Sequence, residues 1–215
     1  MNFRKLIILI LVAVIGVGSY LALNQVSTPE LESSRIYDQP RLIEPFLLQG
    51  SDGAEVTNTA LEGQWTLLFT GYTFCPDICP TTMAQLKARW ADISSASEFP
   101  VQVWMISVDP KRDDVDRIRM YVDFFGEGFY GVRAEHPELY PFVRNIGLMY
   151  SVPDENETNY LVNHSSAIIL VDPNGHQQAI FRPSHELGEI ATVNPNHLVR
   201  DFQKIARYLE HTNNY

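Results

Sequence analysis

Two short apolar runs, "WTLLFTG" (65–71) and "VQVWMISV" (101–108), flank a segment whose apolar residues recur at helical spacing. Met83, Leu86, Trp90 and Ile93 fall three or four residues apart, on one face of a helix predicted from Pro80 to about Ser95. Apolar runs this short are the pattern of buried strands. Strand, helix and strand in that order predict a mostly parallel central sheet with helices on its faces. Few architectures other than a layered α/β domain accept this pattern.

The flanks extend the pattern. "FLLQGSDGAEV" (46–56) carries a turn signal at Asp52-Gly53 and predicts a β-hairpin. Val115, Ile118, Val122 and Phe125 mark a second helix, and residues 137–149 a short third one. "SAIILV" (166–171), the turn "DPNG" and "QQAIFR" (177–182) predict a strand with an antiparallel partner. Asn194 as N-cap and Pro195 at the first position open a last helix, which buries Leu198, Phe202, Ile205 and Leu209. The order is β-hairpin, βαβ, α, then ββα: an α/β, thioredoxin-like fold with an N-terminal β-hairpin. The only two cysteines in the chain, Cys75 and Cys79, fall in the loop after the first central strand, at the end of the sheet where ligands bind.

Before this domain stands an apolar segment. Residues 6–23, "LIILILVAVIGVGSYLAL", carry no charge and follow Arg4 and Lys5. As a helix they span roughly 27 Å, near the ~30 Å hydrocarbon core of a bilayer. The basic flank stays in the cytoplasm and the body lies outside. A cleaved signal peptide is the rival reading; Tyr20, Leu21 and Leu23 crowd the cleavage position, and there is no lipobox cysteine. The layout expected is a single transmembrane helix (1–24), a polar linker lacking periodicity (25–40) and the α/β domain (41–215). The formal charge of −10 argues against nucleic-acid binding, which wants a basic face.

Export makes a structural disulfide the plain reading of the pair. Its magnitude argues against it, since closing a loop of about five residues yields only ~2 kcal/mol. Pro76 and Pro80 disfavour the α region for the residues before them, so the helix is expected to begin at Pro80 with both thiols on the preceding loop. A nearby helix N-terminus favours a thiolate. Redox couples of the thioredoxin type use Cys-x-x-Cys; the extra residue here suits a metal between the sulfurs, and two thiolates select soft ions such as Cu(I), with zinc the competitor. A structural zinc site wants four ligands, and there is no second cysteine pair. Among the histidines, His176, His197 and His211 are read as solvated, and His136 and His185 as loop residues without an identified partner. His164, just ahead of the strand at 166, is the candidate third ligand, with a surface histidine as the alternative. A peroxidase reading lacks its threonine, because Tyr72 stands three residues before Cys75.

"GYTFCPDICPTT" (71–82), "SVDPKRD" (107–113) and "YLVNHSSAIILVDPNG" (160–175) together resemble the Sco/SenC family: membrane-anchored, thioredoxin-like proteins that serve copper delivery to cytochrome c oxidase. The likeness runs from about residue 41 to the last helix. It implies that Cys75, Cys79 and His164 bind one copper ion, as Cu(I) or Cu(II). It further implies a metallochaperone acting on the dinuclear copper site of oxidase subunit II. Another copper-donating chaperone or a thioredoxin-like reductant is an expected further partner. The place implied is a bacterial inner (plasma) membrane, with the domain periplasmic or extracytoplasmic. The alternative function is a thiol–disulfide oxidoreductase, in which Cys75 and Cys79 are the catalytic thiols and His164 is dispensable. Many members carry an acidic residue directly before the histidine, whereas this chain has Asn163. That departure bears on the oxidised Cu(II) form more than on the ligand set. Asp77 is a candidate neighbour of the metal or a turn residue, and Asp109 and Pro110 shape the loop after the second strand.

Overall fold

In the computed structural model, residues 4, 7, 10–16, 28–152, 154, 160–184 and 190–212 are described, 211 by its backbone alone. The chain divides into two units, one of residues 31–207 and one of residues 1–30 with 208–215. In the larger unit an eight-stranded sheet runs in the order β1-β8-β7-β4-β5-β6-β2-β3. The strands are β1 (Ser34–Leu42), β2 (Leu48–Gly50), β3 (Glu55–Val56), β4 (Trp65–Gly71), β5 (Val101–Ser107), β6 (Phe129–Arg133), β7 (Ile168–Val171) and β8 (His176–Phe181). The helices are α1 (Ile78–Ala88), α2 (Trp90–Ser94), α3 (Val115–Asp123), α4 (His136–Asn145) and α5 (Pro195–Thr212).

All seven residues of β4 are buried, and β5 is nearly as enclosed, as their unbroken apolar runs require. They pair in parallel from Trp65 opposite Val101 to Gly71 opposite Ser107, and β5 pairs in parallel with β6. The other pairings, β4 with β7 included, are antiparallel. The sheet is therefore mixed around a parallel centre rather than mostly parallel. A two-layer hydrophobic core results. One face of the sheet is filled by residues such as Leu68, Trp104, Ile106 and Val132 against Leu139, Phe142 and Val143 of α4.

The hairpin at 46–56 forms as β2 and β3, and the last helix starts where its capping residues place it. Asn194 Oδ1 accepts from the N–H groups of Asn196 (3.0 Å) and His197 (3.3 Å). Leu198, Phe202, Ile205 and Leu209 are buried as expected.

Three expectations need correction. The polar stretch assigned to a linker contributes residues 34–40 to β1, which pairs antiparallel with β8. An edge strand with mostly exposed side chains shows no alternation, and its proline, Pro40, falls within the register shift between Ile36 and Arg41. The helix expected over 80–95 breaks at Arg89 into α1 and α2. The break lets Trp90 lie over Gly128, where a Cβ would fall 2.0 Å from the indole. Lastly, α1 begins at Ile78 rather than Pro80, because the first helical N–H groups have no intrahelical acceptor and a proline there forfeits none.

The expected membrane anchor at 6–23 lies largely outside the described residues. Residues 10–16 are helical, and Ile10, Leu11, Val12, Val14 and Ile15 are exposed. Among the described residues no helix is long and apolar enough to cross a membrane.

Candidate metal centre

The parallel strand β4 delivers the chain to the site at Gly71, whose missing side chain matters. A Cβ there would stand 3.1 Å from Cys79 Sγ and 3.2 Å from Met105 Cγ. The chain then turns, with the Cys75 N–H donating to the Tyr72 carbonyl (3.1 Å). Cys75 is half-buried; Cys79, in the first turn of α1, is fully buried. The Cys79 N–H, one of the helix's unsatisfied donors, points at Cys75 Sγ (3.4 Å). A sulfur thus occupies the place where an N-capping oxygen would sit, and the positive end of the helix stabilises it as a thiolate.

His164 arrives from the other side. It pairs with Tyr150 in an isolated antiparallel bridge just before β7. Its Nδ1 lies 2.9 Å from the Ser165 carbonyl, which can only accept, so Nδ1 carries the proton and Nε2 presents a lone pair. Nε2 lies 3.5 Å from Cys79 Sγ. The ring meets Tyr72 edge-on, with centroids 5.8 Å apart. The ligand atoms of Cys75, Cys79 and His164 all lie within 4.8 Å of one another. The centre of such a triangle is at most about 2.8 Å from each corner, so bonds of ~2.0–2.3 Å need only a modest contraction.

The two thiols differ sharply. Cys75 is pulled down to about 4, first by the hydrogen bond from Cys79, with smaller help from backbone N–H groups and against its burial. Cys79 is pushed far up, by donating to Cys75 and by burial. The pair shares one proton, held on Cys79. A shallow cavity of about 230 Å³, lined by Tyr72, Cys75, Asp77, Leu161, Asn163 and His164 among others, opens beside the site.

The sequence-chosen trio is brought together; the remaining candidates are dispersed. Asp77 occupies the N-cap position of α1, where its carbonyl accepts from the Thr81 N–H (3.2 Å) while its side chain makes no capping bond. His136, expected in a loop without a partner, opens α4 and lies 2.9 Å from the Tyr150 hydroxyl through Nδ1, with its ring stacked on the tyrosine. His197 lies 3.4 Å from Glu32, and His176 opens β8. His185 lies outside the described residues. What sequence reading missed is the support around the site. The buried Asp113 carboxylate accepts from the Thr73 N–H (2.9 Å), the Thr73 hydroxyl (2.5 Å) and the Ser107 hydroxyl (2.6 Å), which fixes the start of the cysteine loop. Its burial raises its pKa despite these donors. The motif at 107–113 contained Asp113, but its partner Thr73 is forty residues away in sequence.

A family model described as SCO1/SenC matches residues 34–196. The mitochondrial protein SCO1 homolog 1 of Arabidopsis thaliana is 34% identical over 146 residues, covering 68% of this chain and 44% of that protein. The chain therefore spans less than half the length of this relative. The SCO2-like protein RP587 of Rickettsia prowazekii is 30% identical over 186 residues, covering 84% of this chain and 90% of the relative. The crystal structure of Arabidopsis thaliana ScoI with copper bound superposes with a TM-score of 0.67 at 31% identity, covering 77% of this chain and 98% of that one. Bradyrhizobium japonicum ScoI, also solved with copper bound, gives 0.62 at 27% identity, covering 78% and 99%. The fold is the thioredoxin-like α/β fold of these structures, and the chain belongs to the SCO1/SenC family.

Proposed function

We propose that this protein is a copper metallochaperone whose cargo is held by Cys75, Cys79 and His164. The observation that carries this reading is the convergence of two sulfurs and one imidazole nitrogen within 4.8 Å of one another. The donor set supports copper by its chemistry: two soft thiolates with one imidazole satisfy a three-coordinate Cu(I) and leave a zinc ion short of its usual four ligands. Relatives solved with copper bound point the same way.

The residues have separable tasks. The Cys75 thiolate, half-exposed and already deprotonated, meets the incoming ion first. Cys79 gives up the shared proton as its sulfur joins. His164 supplies Nε2, with its tautomer set by the Ser165 carbonyl. An acceptor's thiolates can then enter on the open side beside Cys75 and take the ion by stepwise exchange. The acceptor we propose is the dinuclear copper site of cytochrome c oxidase subunit II. The donor is another copper chaperone. Residues 1–24 anchor the protein in a bacterial inner membrane, 25–33 tether it, and the domain works on the extracytoplasmic side, without nucleic acid as a partner.

A second reading is favoured by the asymmetry of the thiols. Cys75 at about 4 is a ready nucleophile, and Cys79 is a protonated resolving thiol. Attack of the Cys75 thiolate on an acceptor disulfide would form a mixed disulfide and release one acceptor thiolate. Attack by Cys79 would then release the second, leaving Cys75 and Cys79 oxidised until a thioredoxin-like reductant restores them. His164 separates the readings. Competition for Cu(I) against a chelator should give one tightly bound ion per chain, abolished in Cys75→Ser and Cys79→Ser and weakened in His164→Ala. Ordinary disulfide exchange without competitive copper binding would leave only the reductase.

A further inference from the structure

The turn after β5 touches both loops that carry the ligands. It is closed on itself, the N–H groups of Arg112 and Asp113 donating to the Asp109 carbonyl (3.1 and 2.9 Å). Asp113 holds the cysteine loop through Thr73, as described above. The other side of the same turn holds the histidine loop. The Tyr160 hydroxyl donates to Asp109 Oδ1 (2.7 Å), and Arg112 Nη1 donates to the Tyr160 carbonyl (3.1 Å). The guanidinium lies 3.7 Å from the Tyr160 ring centroid, while its Nε pairs with Asp109. Two residues further on, the Val162 N–H donates to the Tyr72 hydroxyl (3.2 Å), and Tyr72 belongs to the cysteine loop.

His164 is thus fixed from two directions. On its C-terminal side the Ser165 carbonyl and the bridge to Tyr150 set the ring's tautomer and its strand. On its N-terminal side the chain is held at Tyr160 and Val162. Asp113 holds the cysteine loop at Thr73, while the Arg112 guanidinium donates to the histidine loop and meets the cysteine loop only through the rings of Tyr72 (5.7 Å) and Phe74 (5.0 Å). The geometry points to Arg112, acting with Asp109 and Tyr160, as the positioning residue that keeps His164 within ligand reach of the two thiols. This rests on the three-ligand copper reading. Arginine suits the task, since one rigid fork reaches a carboxylate and a carbonyl while its face covers a ring. A lysine offers a single point charge instead.

A merely structural Arg112 would lower the melting temperature without coupling to His164, so the test is a double-mutant cycle. Cu(I) competition is measured on the full-length chain in detergent for wild type, Arg112→Lys, His164→Ala and the double variant. Arg112→Lys should weaken binding roughly 10- to 100-fold. The double variant should bind no more weakly than His164→Ala alone. Wild-type affinity in Arg112→Lys, or losses that multiply in the double variant, would overturn the inference. Tyr160→Phe removes one hydrogen bond and keeps the ring, so it replaces Arg112→Lys in the same cycle if the latter does not fold. Should His164→Ala itself bind like wild type, the underlying copper reading has failed, and the inference with it.

Discussion

At the scale of single residues, the proton shared by the two sulfurs sets the site's behaviour. With Cys75 at about 4 and Cys79 pushed up, the native protein at pH 7 to 8 carries one thiolate and one thiol. At pH 7, binding of Cu(I) should therefore release about one proton per ion, whereas two ordinary thiols near pKa ~8.5 would release about two. Titration in weak buffer counts them, and a value near two would contradict the asymmetry. In Cys79→Ala the principal donor to Cys75 is lost. The midpoint of Cys75 alkylation by iodoacetamide should climb from about 4 toward the ordinary thiol range. An unchanged midpoint would mean that the helix terminus, not Cys79, holds the thiolate. The candidate trio was legible because the chain has only two cysteines and the family resemblance singled out His164, which stands just before a strand that starts at the same end of the sheet. The partners of His136 and Asp113 were not, because Tyr150 and Thr73 are recognisable only once the chain has folded.

At the scale of elements, strands with unbroken apolar runs and the hairpin with its turn signal were readable, whereas β6 and the edge strand β1 were not. β4 and β5 declare themselves by unbroken apolar runs, while β6, "FYGVR", escapes notice because Gly131 interrupts it. That glycine is demanded by packing, since a Cβ would fall 2.0 Å from Ile118 Cγ2 on α3. β1 was hidden by its exposed side chains, although it is firmly held. Asp201 of α5, itself buried, accepts from the N–H groups of Glu32, Ser33 and Ser34 and from the Ser34 hydroxyl at 2.8–2.9 Å. Asp201→Ala should cost about 3 kcal/mol, read by urea denaturation, because it leaves several donors at the sheet edge without their acceptor. A loss below about 1 kcal/mol would mean that water replaces the carboxylate. Gly71→Ala tests how β4 meets the site. The new methyl presses on Cys79 Sγ and Met105, so copper affinity should fall several-fold with only a small drop in melting temperature. Wild-type affinity would show that the sulfur can yield freely.

At the scale of the whole molecule, the sheet brings together two loops some ninety residues apart at the C-terminal ends of its parallel strands, where α/β sheets leave room for a ligand. A buried helical thiol, a half-exposed thiolate and an oriented imidazole make a site open on one side, which suits the proposed hand-over of an ion. The alternation of strands and helices foretold this end of the sheet. It did not foretell that most pairings would be antiparallel, since pairing partners are chosen by tertiary contacts. The most direct test is transfer itself. The protein loaded with Cu(I) is mixed anaerobically with the isolated, reduced copper domain of oxidase subunit II, and copper on each partner is followed after separation. Stoichiometric movement to the acceptor is expected from the wild type, absent in Cys75→Ser and Cys79→Ser and impaired in His164→Ala. Copper that stays put, with the oxidised acceptor reduced equally well by wild type and His164→Ala, would make the protein a thiol reductase instead.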